Sequence, residues 1–278
     1  KISHVCHRVV HSGRYDEPVV VNEKSISQMT RLSDLVPLHN GAALSVIKVC
    51  TDVLPRAVSV AYFDTIFHRS MPPHISTYPV DQTIAEEHGL RKYGFHSISY
   101  PYILNSVSAY LQKPASSLNL ILLHLGSGAS ACAIRNGKSY DTSMSLTPVS
   151  GLPGATRSGA IDPSLIFHYD TNKAGKITHY LSLVDVLNKK SGWKAMCGTT
   201  DFAEVVDKAE LHRPSEEVEG NICRLAFDIF MDRIVGFVGA YFVKLGGEVD
   251  ALVFFGGIGE KSWHLRKAVG KRAQCLGF

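Results

Sequence analysis

Apolar runs of strand length alternate along this chain with longer stretches whose apolar positions recur at helical spacing, the pattern of an α/β architecture. "VCHRVVHSG" predicts a strand ending in a turn. Asn22 predicts the cap of a helix running toward Leu35, and Asn40 the cap of a second one through "GAALSVIKVCTDVL", closed by Pro55. "AVSVAYF" predicts a strand, and Asp64 stands just past its end. "HRSMPPHISTYPVD" breaks the pattern and predicts a boundary between domains. A helix from about Thr83 and another reaching Leu111 follow. "LNLILLHLGSG" then predicts an apolar strand entering a glycine loop at 126–128. "ASACAI" and "SYDT" flank Asn136-Gly137, the dipeptide that a type I′ hairpin turn favours. "EVEGNICRLAFDIFMDRIVGFVGAYFVKLGG" carries helical spacing over a long run that Gly246-Gly247 stop. "DALVFFGGIGEKS" predicts a buried strand followed by a second glycine turn, at 256–259, that opens a helix.

Composition narrows the classes. With 278 residues, 45% of them hydrophobic and 19% charged, the chain builds a substantial core in one large domain or two ordinary ones. A net charge of +4 suits anionic small molecules and is too weak to argue for nucleic acid. The six cysteines show no CxxC pair and no zinc spacing, which favours a reducing compartment and a cytoplasmic protein. No apolar run reaches the length of a membrane span, and no signal peptide is read at the start. The chain opens on "KISHVCHRVV" without methionine and closes on "KRAQCLGF", so an internal fragment is expected.

The stretch "GLPGATRSGAIDP" sets Arg157 among small residues. It reads either as a surface turn with a solvated arginine or as a guanidinium fork for a planar anion. Asp64 reads either as a helix N-cap or as a ligand-side carboxylate at the carboxyl end of a strand. His39, His68, His96 and His124 adjoin turns, but none has HxH or HxxxH spacing, so each reads as a hydrogen-bonded structural histidine before a metal ligand. Ser127 lacks the GxSxG pattern of a hydrolase elbow. Phosphoryl transfer needs charge stabilisation and in-line positioning. Arg8, Arg157, Asp64, His96, His124 and the glycine loops form such a set, without a Walker loop or a protein-kinase signature.

These residues resemble the acetate kinases. "HRVVHSG", "PLHN", "FDTIFHRSMP", "YGFHS", "HLGSGAS", "NGKSYDTSM", "GLPGATRSGAIDP" and "FFGGIGE" occur in that family's order and approximate spacing. The resemblance implies a two-domain actin-like and sugar-kinase (ribonuclease H-like) α/β fold. Its first, acetate-side domain would be represented by 1–67 and largely truncated. Its second, nucleotide-side domain would occupy 68–278, incomplete at its end. The implied activity is reversible transfer of the ATP γ-phosphoryl group to acetate, giving acetyl phosphate and ADP, in a homodimer. Arg8 and Arg157 match arginines that hold the carboxylate and the transferring group, Asp64 the catalytic aspartate linked to Mg2+, and His96 the histidine that steadies the phosphoryl group. Val10, Leu38, Phe95 and Pro148 match the pocket for the acetate methyl, with His39 beside it. His124, Gly126, Ser127 and Gly128 match the phosphate side, and Asp201, Phe202, Gly256, Gly257, Gly259 and Glu260 the nucleotide side. A further magnesium-binding glutamate of the family has no counterpart here, and the chain by itself is expected to be inactive.

Departures gather on the nucleotide side. Ser127 stands for an asparagine, Tyr100 for a histidine, Lys261 for an asparagine, and "CGTTDFAEV" is one residue short with Ala203 for an arginine. They leave open a non-catalytic nucleotide-binding relative; a kinase for propionate or butyrate is a separate alternative that the volume of the acceptor pocket decides, and Val10 and Pro148 argue for a small acid.

Overall fold

Strand β1 (His4–Val9) lies parallel to β3 (Val58–Phe63) in a computed structural model that describes residues 1–13, 15–31, 37–165, 168 and 180–278. A parallel pair cannot be joined by a hairpin, so the chain between them crosses over through helices. It passes through β2 (Val19–Val20), which pairs antiparallel to β3, then α1 (Glu23–Arg31) and α2 (Pro37–Val53). The sheet order is β1-β3-β2. Alternation places Val9, Ala61 and Phe63 on one face, where they pack with Met29 of α1 and Ile47 of α2.

Asn22 caps α1 as expected: its Oδ1 accepts from Ser25 N at 2.9 Å while Ser25 Oγ accepts from Asn22 N at 2.8 Å, a reciprocal box. The second helix corrects the sequence reading. It starts at Pro37, so Asn40 is interior and not a cap. Proline suits the first helical position because the N–H it lacks has no partner there.

The chain divides into two compact units, Lys1–Leu118 with Arg135–Asp141, and Asn119–Ile134 with Thr142–Phe278. The stretch 68–81 lies inside the first unit, which also holds α3 (Pro73–Ser76), α4 (Gln82–His88) and α5 (Ser99–Leu111). Asp81 caps α4 through the N–H groups of Thr83 and Ile84.

In the second unit, β4 (Leu120–Leu125), β5 (Ala129–Arg135), β7 (Ala251–Phe255) and the end of β6 (Lys138–Thr142) form a sheet of order β6-β5-β4-β7. β4 is antiparallel to β5 and parallel to β7. Asn136 and Gly137 have φ of 50° and 72°, as a type I′ turn requires. The long way round from β5 to β7 runs through α6 (Tyr180–Lys189), α7 (Gly192–Cys197), α8 (Phe202–Lys208) and α9 (Ile222–Lys244). Trp193, Phe202 and Phe230 meet in the core of this unit at ring-centroid distances of 5.3–5.4 Å. Gly246 and Gly247, at φ 75° and 78°, end α9 as predicted.

The second glycine stretch differs from expectation. Only Phe255 of β7 is buried; the rest of the strand is half-buried. Gly256 opens α10 (Gly256–Lys261) directly, with no intervening turn, and α11 (Trp263–Ala273) follows. A Cβ at Gly256 would lie 2.7 Å from the Leu125 carbonyl, so strand and helix can approach this closely only through glycine.

Candidate active site

In the first unit the site grows from two strand ends. Arg8 pairs in register with Tyr62, which places Asp64, just past β3, within reach of it. Arg8 NH2 donates to Asp64 Oδ2 at 2.6 Å; the Asp64 side chain is 3% exposed while that of Arg8 is 59% exposed. Asp64 is knitted in by its backbone as well: its N–H donates to Val9 O at 2.9 Å, and its carbonyl accepts from Ser97 N at 3.0 Å. Asp64 Oδ1 accepts from Ile98 N at a long 3.4 Å. Asp64 is therefore not an N-cap. Thr65 precedes the following 3-10 turn (Ile66–Ser70) and caps it with no side-chain bond.

These bonds grip the residues after His96. His96 has φ 65°, the left-handed region that costs a non-glycine residue roughly 1–2 kcal/mol. Its carbonyl accepts from Ser99 N at 2.9 Å and Tyr100 N at 3.2 Å, which hold it there. His96 and Val10 are half-buried, whereas Phe95 is 1% exposed. Leu38 and His39 fall in the first turn of α2, but their side chains lie outside the described residues.

In the second unit the loop at 126–128 and the loop bearing Arg157 abut. Ala155 N donates to Ser127 O at 2.8 Å, and a Cβ on Gly154 would come within 2.6 Å of that same oxygen. Gly154 N donates to Arg157 O at 3.1 Å, and Thr156 Oγ1 to Asn188 O at 2.7 Å. Half-buried Arg157 thus rides on a loop bound by its backbone to the glycine loop. His124 is half-buried, edge-on to Phe255 at 4.8 Å, and Pro148 is buried.

A cleft of about 580 Å³ opens in this unit. Gly126, Ser127, Asp201, Phe202 and Gly257 line it, as does Ala203. Gly128, Gly256, Gly259 and Glu260 adjoin it without being among its walls. Asp201 is the N-cap of α8, accepting from Ala203 N at 2.9 Å, and Glu260 Oε1 accepts from Gly256 N at 3.2 Å. Sequence reasoning missed Trp263 and His264, whose rings lie 3.7 Å apart in the same cleft. Trp263 is 53% exposed, and a tryptophan shortly after the glycine-rich stretch 256–259 was the available signal.

No group of three or more His, Cys, Asp or Glu side chains able to hold a metal occurs among the described residues. Mg2+ takes only one or two protein carboxylates and completes its shell with phosphates and water, so a single carboxylate such as that of Asp64 is compatible with this finding.

The sequence profile of the Acetokinase family matches residues 1–278. The chain is 55% identical to a probable acetate kinase of Emericella nidulans, covering 100% of this chain and 66% of that protein. It is 47% identical to a probable acetate kinase of Neurospora crassa, of which it covers 62%. It therefore spans about two thirds of the length of these curated relatives. Among solved structures, a propionate kinase from Francisella tularensis superposes with a TM-score of 0.87 at 37% identity, over 97% of this chain and 67% of that one. The acetate kinase of Porphyromonas gingivalis superposes with a TM-score of 0.85 at 33% identity, over 99% and 67%.

Proposed function

The chain belongs to the Acetokinase family, and from that premise we propose that it serves an acetate kinase, transferring the γ-phosphoryl group of ATP reversibly to acetate. The observation that carries this reading is the Arg8–Asp64 ion pair, tied through the peptides of Ser97 and Ile98 to the strained backbone of His96.

Acetate is already an anion at neutral pH, so its attack on phosphorus needs no general base. The obstacle is the approach of one anion to another, and cations and neutral donors remove it. A carboxylate oxygen forms the new bond to the γ-phosphorus as the bond to the bridging oxygen breaks and ADP leaves. Arg8 and Arg157 hold the carboxylate and the equatorial phosphoryl oxygens, and His96 donates a hydrogen bond to the group in transit. Asp64 fixes the Arg8 fork instead of taking a proton. Mg2+ bound with the nucleotide would have Asp64 as a ligand and would neutralise phosphate charge. The family resemblance assigns the acceptor methyl group to Val10, Leu38, Phe95 and His39 of the first unit and to Pro148 of the second. The cleft at Gly126, Asp201 and Gly257 receives the nucleotide, with His124 and Ser127 toward its phosphates.

Likeness to the Francisella propionate kinase favours propionate as a second acceptor. A homodimer in the cytoplasm completes the proposal. The six cysteines are free thiols, which suits a reducing compartment.

The test is trapping of acetyl phosphate by hydroxylamine when the complete gene product meets acetate, ATP and Mg2+. Acetate-dependent hydroxamate is expected. ATP hydrolysis indifferent to acetate would contradict the reading.

A further inference from the structure

His68 has no exposed surface, and both of its ring nitrogens are engaged. Nε2 lies 2.8 Å from the Phe95 carbonyl oxygen, and Nδ1 lies 2.7 Å from Ser139 Oγ. A carbonyl can only accept, so Nε2 carries the proton, and Nδ1 accepts from the Ser139 hydroxyl. Ser70 Oγ donates in turn to the Ser139 carbonyl at 2.8 Å, fixing that residue from behind. The rings of Tyr100 and Phe67 stand edge-on to the imidazole at 5.4 and 5.7 Å and leave it no room to turn. Burial holds the ring neutral, with a pKa lowered to about 4.

Phe95 is the residue before His96. The peptide entering His96 is therefore pinned by His68, and the peptide leaving it by Asp64, whose carbonyl receives Ser97 N at 3.0 Å. Between these fixed points His96 keeps its φ of 65°. A left-handed residue without glycine's freedom persists only where its surroundings over-determine it.

We propose that His68 is a positioning residue for phosphoryl transfer: its Nε2–H bond to the Phe95 carbonyl, oriented by Ser139, holds His96 in the left-handed conformation that presents its imidazole to the transferring group. The role in transfer rests on the acetate kinase reading; the hold on His96 does not.

The test combines steady-state kinetics with the 13Cα shift of His96 in the histidine-labelled complete gene product. His68→Leu removes both bonds at similar bulk. His68→Gln keeps a donor for Phe95 and an acceptor for Ser139. His68→Leu is expected to shift His96 away from its left-handed value and to lower kcat on the order of 10²-fold, the scale of a small misplacement. KM for acetate and ATP should change less than about threefold, since the loss falls on the transition state. His68→Gln should recover both readouts. Ser139→Ala, which frees the ring to take the other tautomer, should displace His96 the same way by less, and it decides the matter if His68→Leu does not fold. An unmoved His96 shift overturns the proposal, as does a loss of kcat that glutamine fails to recover. A wild-type protein without kinase activity would overturn the acetate kinase reading instead, and the His96 shift would still show whether His68 holds it.

Discussion

Arg8 and Asp64 stand 56 positions apart, yet they share a 2.6 Å ion pair because parallel pairing of β1 with β3 brings both strands to an end side by side. The same strand end carries Val10 into the first turn after β1, where it is half-buried. If it bounds the acceptor methyl, Val10→Ala opens space for one more carbon. A methylene in such a pocket is worth roughly 1–3 kcal/mol. The ratio of kcat/KM for propionate over acetate should rise several-fold, and an unchanged ratio would remove Val10 from the pocket. Single residues of this kind were legible in the sequence because arginine, aspartate and histidine sit at strand ends or in glycine-rich turns with little structural need for them. The bonds between them were not legible. Nothing local says that the Phe95 carbonyl will meet His68, 27 positions away, since only tertiary packing closes that distance.

At the scale of elements, local rules worked where the backbone had one solution. Asn136-Gly137 had to be a hairpin turn, and Gly246-Gly247 had to end α9. They failed where two signals competed. Pro37 opens α2 ahead of the asparagine that reads as its cap, and Gly256 reads as a turn residue although its purpose is close packing. That purpose is testable against a neighbour. Gly256→Ala forces a Cβ to 2.7 Å from the Leu125 carbonyl at φ 79°, whereas a Cβ at Gly257 meets nothing within 4 Å. Gly256→Ala should cost about 1–3 kcal/mol, read as a lower Tm. Gly257→Ala should leave Tm near wild type and, because Gly257 lines the cleft, change KM for ATP. Equal stability of the two variants would show that strand and helix are not joined through Gly256. On the same cleft, Ala203 is exposed where the resembled family carries arginine. Ala203→Arg should lower KM for ATP and leave KM for acetate unchanged; an effect confined to acetate would place the α8 start away from the nucleotide.

Across the whole molecule, buried imidazoles shape the response to acid, with His7 shifted downward by burial like His11 and His68. Burial lowers the pKa of His11 and of His68 from 6.5 to about 4. The unfolded chain therefore binds protons that the folded chain does not between pH 6.5 and 4. Their contribution is fully present above that window and is lost as pH falls through it, by roughly 3 kcal/mol for each group. Tm should drop between those limits, and His68→Gln should flatten the drop; a Tm independent of pH there would mean that these rings are not neutral when folded. The architecture itself was legible as α/β from alternating periodicity, and the family from eight motifs in order. If those motifs serve one transfer reaction, the loss of activity on substitution should be sharpest at Arg157. Its loop is held by backbone bonds from Gly154 and Ala155 and by the Thr156 hydroxyl, which donates to Asn188 O. The measurement is kcat for acetyl phosphate formation by the Arg157→Ala and Arg157→Lys variants, with Tm recorded alongside. Alanine should lower kcat by about 10²–10⁴-fold with Tm within a few degrees of wild type. Lysine should recover little, because a point charge cannot form the two parallel bonds of a guanidinium. A lysine or alanine variant as active as wild type would return Arg157 to a surface turn and contradict the account.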